Sequence, residues 1–140
     1  MKIPIAKPYL TEDEAQNAYD TILSGWVTQG PRVAEFEEKF AAYVGSKYAV
    51  AVSNCTSALQ LALIVSGIGS GDEVICPSMS FIATANSIKN VGATPVFAEV
   101  GSDYNLNPDH AESLIGERTK AILLVHQIGM PANIERFQSI

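Results

Sequence analysis

The sequence predicts an α/β fold with a mostly parallel sheet in a three-layer α/β/α arrangement. From Tyr48 onward, short apolar runs alternate with segments of helical periodicity, which is the pattern of successive β and α units. The short runs are apolar throughout and do not alternate with polar residues. Such runs are expected where both faces of a parallel sheet are covered by helices.

Two helices are predicted ahead of the first strand, after an extended arm at Lys2–Leu10. Thr11-Glu12-Asp13-Glu14 fits a capping box, so the first helix is expected to begin at Thr11, and Gly25 ends it. The second helix has Pro31 in its first turn and ends at Gly45. Each helix has an apolar stripe, formed by Ala15, Ala18, Ile22 and Leu23 in the first and by Val33, Phe36, Phe40 and Val44 in the second.

Four strands and four helices are predicted in the rest of the chain. The strands cover Tyr48–Ser53, Glu73–Cys76, Thr94–Val100 and Lys120–Val125. The helices cover Thr56–Val65, Phe81–Val91, Pro108–Ile115 and Ile134–Ile140. No stop signal follows the last helix and no later strand covers its apolar face, so the domain is expected to be incomplete at the C-terminus.

Composition excludes several classes of protein. The chain has 140 residues, of which 47% are apolar and 17% charged, and this is typical of a globular domain. A net charge of −6 without a Lys/Arg cluster argues against nucleic acid or an anionic membrane as partner. No signal peptide or membrane span is predicted. The two cysteines are too few for a disulfide framework and lack metal-ligand spacing, so no metal is predicted and a cytoplasmic location is expected.

The junction at Ser53–Leu59 is the first candidate site. It joins the end of a predicted buried strand to the start of an apolar helix, where ligands collect in open α/β sheets. Unpaired N–H groups at the helix start, with the hydroxyls of Thr56 and Ser57, would suit a phosphate. Alternatively, Asn54 or Thr56 only caps the helix. The residues alone leave both interpretations open.

The segment Cys76–Phe81 leaves the next strand at the same edge of the sheet and is the second candidate. The ring of Phe81 could stack on a flat heteroaromatic ligand there. A core position at the start of its helix is the interpretation that composition favours. His126 also ends a strand at this edge, and a structural role is favoured for it.

A series of short motifs runs in order through nearly all 140 residues. The motifs are Gly25–Pro31, Val33–Glu37, Tyr43–Gly45, Asn54–Leu59, Gly71–Ile75, Pro77, Phe81–Asn86, Gly92–Val96, Arg118–Ile122, Val125–His126, Gly129 and Pro131–Ala132. In this order they resemble the DegT/DnrJ/EryC1/StrS aminotransferases, with Asn54–Leu59 at the position of that family's phosphate turn. The sequence departs from the family pattern at Glu99-Val100, Gln127-Ile128 and Met130.

The resemblance implies the large domain of a fold-type-I transferase that uses pyridoxal 5'-phosphate (PLP). The amino donor would be glutamate, the acceptor a nucleotide-linked keto-sugar, and the enzyme a homodimer. The cofactor-binding residues would be Cys55, Thr56 and Ser57 at the phosphate and Phe81 on the ring. The substrate-binding residues would be Trp26, Val27, Thr28 and Gln29, and this loop could reach across a dimer interface.

Two parts of the chain are distinguished on this basis. Residues 1–30 would hold the arm, the first helix and the substrate-side loop, and residues 31–140 the N-terminal part of the PLP-binding domain. Transamination requires a lysine that bonds covalently to the cofactor and moves protons. Lys47 and Lys120 precede their predicted strands and therefore lie at the opposite edge of the sheet, about 20 Å away across one strand. No catalytic residue is therefore assigned within this chain.

Two rival functions follow from the same features. The fold could be a non-catalytic module that binds a phosphorylated ligand or a partner chain and lacks the lysine-bearing half. An ordinary nucleotide-binding domain is disfavoured, because no Gly-x-Gly-x-x-Gly or Walker-type loop follows any predicted strand. We expect the chain alone to be inactive in transamination.

Overall fold

Residues 6–140 are described by the computed structural model, so Lys2 and the beginning of the predicted arm lie outside the described residues. The chain separates into two compact units, Met1–Ala51, described from residue 6, and Val52–Ile140. The predicted division after residue 30 stays a prediction.

The first unit contains helices α1 (Glu12–Leu23) and α2 (Pro31–Val44). The capping box predicted at Thr11 is confirmed, because its N–H donates to Glu14 Oε2 at 2.6 Å and its hydroxyl accepts from the Asp13 N–H. Gly25 (φ 75°) and Gly45 (φ 71°) follow the two helices in the left-handed conformation. This conformation is strained for other residues, which explains why the two glycines mark the helix ends.

The apolar stripes of α1 and α2 are largely exposed in the first unit. No residue of α1 is buried, and Ala41 is the one buried residue of α2. Phe36 and Phe40 are neighbours on α2 with ring centroids 5.6 Å apart, yet both remain about half exposed. These two helices therefore carry an apolar surface that other residues of the unit do not cover.

The strand predicted at Tyr48–Ser53 is wrong. No strand forms at residues 48–53, although their apolar run is strand-like. A strand requires backbone hydrogen bonds to a neighbouring strand. Here the Ala51 N–H donates to the Glu37 carboxylate at 2.7 Å, and the Tyr48 carbonyl accepts from the Ser46 hydroxyl at 2.8 Å. Side chains therefore satisfy backbone groups that the prediction had assigned to a sheet.

The second unit is built on a three-stranded parallel sheet. Its order is β2-β1-β3, with Glu73 in register with Thr94 on one side and Thr119 on the other. The elements in chain order are α3 (Cys55–Val65), β1 (Glu73–Pro77), α4 (Ala83–Asn90), β2 (Thr94–Ala98), α5 (Pro108–Ser113), β3 (Thr119–Ile122), a 3₁₀ turn (Gln127–Gly129) and α6 (Ile134–Gln138). Each was predicted except the 3₁₀ turn, and the predictions differ from the structure only at the ends of the elements.

Strand β1 is the centre of a three-layer arrangement. Val74 and Cys76 point to one face, where Leu63 of α3 and Ile88 of α4 pack against them. Ile75 points to the other face, where it joins a second buried cluster that includes Ala111 of α5 and has Phe137 of α6 packed against it. The α/β/α layering predicted from the uninterrupted apolar runs is confirmed.

No helix among residues 6–140 combines the length and the apolar character that crossing a bilayer requires.

Truncation of a β1 side chain tests the packing of the core. Val74→Ala is expected to lower the free energy of unfolding by about 2 kcal/mol, because Val74 is fully buried against α3 and α4. Urea unfolding followed by circular dichroism measures the loss. Val65→Ala is the matched control, since Val65 is 82% exposed, and it should change stability by less than about 0.5 kcal/mol. Equal losses in the two variants would contradict the assigned core.

The two cysteines are expected to differ sharply in reactivity. Cys55 is exposed at the start of α3, whereas burial in the core raises the pKa of the Cys76 thiol to about 11. A thiol-specific disulfide reagent at about pH 8 should modify Cys55 in the folded chain and Cys76 only after unfolding. Mass spectrometry of the modified peptides identifies the site. Rapid modification of the folded Cys55→Ser variant would show that Cys76 is accessible.

Candidate functional site

A cavity of about 590 Å³ opens in the second unit at the edge where β1 and β3 end. Three segments line it, namely the start of α3, the turn between β1 and α4, and the residues after β3. The lining residues are Asn54, Cys55, Thr56, Leu59, Ser80, Phe81, Ala83, Thr84, Leu123, Leu124, Val125 and Gln127. The carboxyl ends of parallel strands are where ligands bind in such sheets. Three of the predicted cofactor residues, Cys55, Thr56 and Phe81, thus share one cavity.

Asn54 is the cap of α3. Its backbone is extended, and its side-chain oxygen accepts from the Ser57 N–H at 2.9 Å and from the Ser57 hydroxyl at 3.2 Å. The capping interpretation is therefore correct for Asn54. Ser57 was predicted to bind the phosphate. Its N–H and its hydroxyl both donate to Asn54 instead, and Ser57 does not line the cavity.

The capped helix nevertheless leaves groups for an anion. Helix geometry gives the N–H groups of Cys55 and Thr56 no acceptor inside α3. Thr56 is partly buried in the cavity wall, and its hydroxyl makes no hydrogen bond to any residue of 6–140. Two amide donors, one hydroxyl and the positive end of the helix dipole are a donor set that fits a phosphate.

Phe81 is not a core residue. It lies two residues before α4 begins and is 77% exposed, and it lines the cavity. A hydrogen bond of 2.8 Å between the Ser80 and Thr84 hydroxyls fixes the turn that presents it. The prediction of a core position is wrong, because the helix begins at Ala83 and the ring precedes its buried face. An exposed aromatic face beside phosphate donors suits a flat phosphorylated ligand.

Several residues of this edge were missed by the sequence reasoning. Ser80, Thr84 and Gln127 line the cavity, and a buried Asn105 hydrogen-bonds to the segment that carries Gln127. Ser80 lies in the predicted candidate segment Cys76–Phe81, Thr84 in the motif Phe81–Asn86, and Gln127 at a departure from the family pattern, but none of the three was assigned to the site. Asn105 lies in a polar stretch that has no periodicity, so no local signal marks it.

His126 has the structural role that was favoured for it. Its Nδ1 accepts a hydrogen bond of 2.9 Å from the Ala132 N–H and so closes the base of the loop after β3. A second histidine behaves similarly, since His110 Nδ1 accepts from the Glu99 N–H at 2.8 Å. His126 is not among the residues that line the cavity.

None of the lysines among residues 6–140 lines the cavity. Lys120 lies at the amino end of the sheet, where its ammonium donates to the Glu117 carbonyl at 3.3 Å. Lys47 lies in the first unit, 5.0 Å above the Tyr48 ring. Among the described residues, the site therefore offers phosphate and ring contacts but no amine that could bond covalently to a cofactor.

The predicted substrate loop belongs to the first unit. Trp26 and Thr28 line a separate cavity of about 420 Å³ together with Asp20, Arg32 and Glu35. Val27 and Gln29 are not in its wall, but the Gln29 carbonyl accepts from the Trp26 indole N–H at 2.7 Å. A Cβ atom on Gly30 would lie 1.9 Å from the indole nitrogen, so only glycine permits this position of the ring.

Several known proteins of similar sequence or structure are named as aminotransferases, and others are named for polysaccharide biosynthesis. The chain is 43% identical to the spore coat polysaccharide biosynthesis protein SpsC of Bacillus subtilis, over 99% of this chain and 36% of SpsC. It is also 43% identical to the UDP-4-amino-4-deoxy-L-arabinose–oxoglutarate aminotransferase of Shewanella sediminis, over 95% of this chain and 34% of that enzyme.

A solved structure agrees. The PLP form of Spr1654 from Streptococcus pneumoniae, provisionally assigned as a sugar aminotransferase, superposes with a TM-score of 0.94 at 36% identity. The superposition covers 99% of this chain and 36% of Spr1654. The fold predicted from the sequence, that of the large domain of PLP-dependent transferases, is thereby confirmed.

The family assignment follows from the extent of the match. The chain spans about a third of the length of these relatives. The sequence pattern of one aminotransferase family matches residues 8–140, which is nearly the whole chain. The chain therefore belongs to the DegT/DnrJ/EryC1/StrS aminotransferase family.

Proposed function

We propose that this chain is the N-terminal part of a PLP-dependent aminotransferase that transfers nitrogen from glutamate to a keto group of a nucleotide-linked sugar. The observation that carries the proposal is the composition of the cavity at the carboxyl edge of the sheet. There the phosphate donors of α3 and the exposed ring of Phe81 line one space of about 590 Å³. The family membership supports the chemistry.

In this proposal each cofactor residue has a separate task. Cys55 and Thr56 hold the phosphate through their backbone N–H groups, and Thr56 adds its hydroxyl. Ser57 contributes indirectly, because its bonds to Asn54 fix the first turn of α3. Phe81 stacks on the pyridine ring and keeps water from that face. When bound, PLP supplies the electron sink that amino transfer requires.

The substrate assignment draws on the first unit and on the relatives. The cavity beside Trp26 combines an indole ring with the Arg32 guanidinium, and these groups suit the base and phosphates of a nucleotide. We assign Trp26, Val27, Thr28 and Gln29 to the substrate side on this basis. The name of the Shewanella sediminis relative pairs a UDP-linked amino sugar with oxoglutarate, the keto acid that glutamate yields.

A homodimer in the cytoplasm completes the proposal. The half-exposed rings of Phe36 and Phe40 form an apolar surface on α2 that is suited to a partner subunit. Cys55 and Cys76 are unpaired thiols, which suits a reducing compartment. Sedimentation of the complete enzyme as a monomer would contradict the dimer.

Titration with two ligands tests the phosphate contact. Thr56→Ala should weaken binding of both PLP and inorganic phosphate about tenfold or more, because it removes a hydroxyl donor to a charged group. Isothermal calorimetry on the 140-residue chain measures both constants. Thr94→Ala is the matched control, since Thr94 is an exposed threonine at the amino end of β2. Unchanged binding in Thr56→Ala would refute the phosphate site.

The same titration separates the ring contact from the phosphate contact. Phe81→Leu should weaken PLP binding by about threefold to tenfold and leave inorganic phosphate binding unchanged, because phosphate alone has no ring to stack. Phe97→Leu is the control, since Phe97 is a similarly exposed phenylalanine on β2 outside the cavity. A parallel loss for both ligands in Phe81→Leu would count against stacking.

The chain alone is expected not to transfer nitrogen. In the part of the chain that the structure describes, no lysine lines the cavity, so no amine is in place there to bond covalently to the cofactor. The measurement is 2-oxoglutarate formation from glutamate with added PLP. Free PLP without protein gives the background rate. A rate above that background would contradict the proposal that the lysine needed for amino transfer comes from another part of the enzyme.

A further inference from the structure

The loop that follows β3 adopts a backbone conformation that its sequence disfavours. Ile128 has φ 51° and ψ 32°, the left-handed region, in which a β-branched residue is strained. Its side chain is 93% exposed, so burial does not offset the strain. The 3₁₀ turn at Gln127–Gly129 must therefore be held by other contacts.

Asn105 supplies those contacts. It is only 2% exposed, and its side chain bonds to residues more than twenty positions away. The Asn105 Oδ1 accepts from the Gln127 N–H at 2.9 Å. The Nδ2 donates to the carbonyls of Met130 at 3.2 Å and Pro131 at 3.3 Å, and to Asp103 Oδ2 at 3.1 Å. One buried side-chain amide thus hydrogen-bonds to the residue that begins the strained turn and to the two residues that follow it.

The turn determines where Gln127 lies. Leu123, Leu124 and Val125 give the cavity an apolar wall after β3, and Gln127 adds the one polar side chain of that wall. Its backbone N–H is fixed by Asn105. Its side-chain amide makes no hydrogen bond to any residue between 6 and 140, although Gln127 is only half exposed. A half-buried amide without a protein partner has its donor and its acceptor available to a ligand.

We propose that Gln127 is a cofactor-binding residue that hydrogen-bonds to the pyridine end of the cofactor, and that Asn105 is the positioning residue that holds it there. The proposal rests on the proposed function, in which Cys55 and Thr56 bind the phosphate. With the phosphate bound by these two residues, the polar groups of the cofactor that still lack a partner are those on its pyridine ring, and Gln127 would bond to one of them. Asn105 does not line the cavity, so it would act through the Gln127 backbone.

A double-mutant cycle with PLP and inorganic phosphate tests both roles on the 140-residue chain. Gln127→Leu keeps the bulk of the side chain and removes its amide. It should weaken PLP binding about tenfold and change phosphate binding less than about twofold. Asn105→Ala should give a loss of similar size that is also confined to PLP. The double variant should bind PLP no more weakly than Asn105→Ala alone, because both changes remove one contact.

Controls separate positioning from general damage. Asn86→Ala and Gln138→Leu change exposed residues of the same types outside the cavity and should bind both ligands normally. Asn105→Asp is the second variant, since it keeps an acceptor for the Gln127 N–H and loses the donors to Met130 and Pro131. It should bind PLP within about threefold of wild type, and a loss as large as that of Gln127→Leu would overturn the positioning role.

Each outcome decides one point. Wild-type PLP affinity in Gln127→Leu overturns the amide contact. The positioning role is overturned if the losses of PLP affinity in the two single variants add in the double variant. It is also overturned if Asn105→Ala weakens binding of inorganic phosphate, since an Asn105 that only stabilises the fold would produce either result. If the wild-type chain binds neither ligand, the proposed function and this proposal fail together. If it binds both and Gln127→Leu matches it, only this proposal fails.

Discussion

The parallel pairing of β1 with both β2 and β3 is the constraint on which the site depends. Because β1 is central and buried on both faces, helices must cover both sides of the sheet, and the chain must return to the same edge after each strand. That edge gathers the start of α3, the turn that carries Phe81 and the loop after β3 around one cavity. Residues about 70 positions apart, such as Thr56 and Gln127, become neighbours in its wall.

The sequence predicted best what is decided locally. Thr11 marks a helix start, and Gly25 and Gly45 mark helix ends, because capping and left-handed backbone involve only a few adjacent residues. The predicted strand at residues 48–53 was wrong, since an apolar run carries no information about whether a partner strand is present. Its backbone groups bond to side chains, Glu37 among them, that no strand pattern reveals.

The candidate site was predictable in part for the same reason. Phe81 follows β1 by a few residues, at the strand end where topology places ligands. Thr56 follows an apolar run that forms no strand, so its position was correct although the strand predicted before it was not. The family motifs reinforced both positions. Composition alone assigned Phe81 to the core, because it cannot tell on which side of a helix start a ring will lie. Asn105 escaped notice altogether, since its partners are 22 to 26 residues away and its importance arises from burial. Long-range polar contacts of this kind produce no repeating residue pattern that could be recognised in a sequence.

The packing of the Trp26 indole on Gly30 has a consequence for how this loop can diverge. Gly30 has an extended backbone that any residue could adopt, so glycine is required there only by the ring above it. The side chains allowed at the two positions are therefore sterically coupled. A lineage that replaces the tryptophan by a small residue frees position 30 to vary, whereas one that first acquires a side chain at position 30 must move the indole and reshape the cavity beside it. A side chain at position 30 is therefore compatible with this loop only once the ring has been removed, and restoring the ring requires that glycine be restored first.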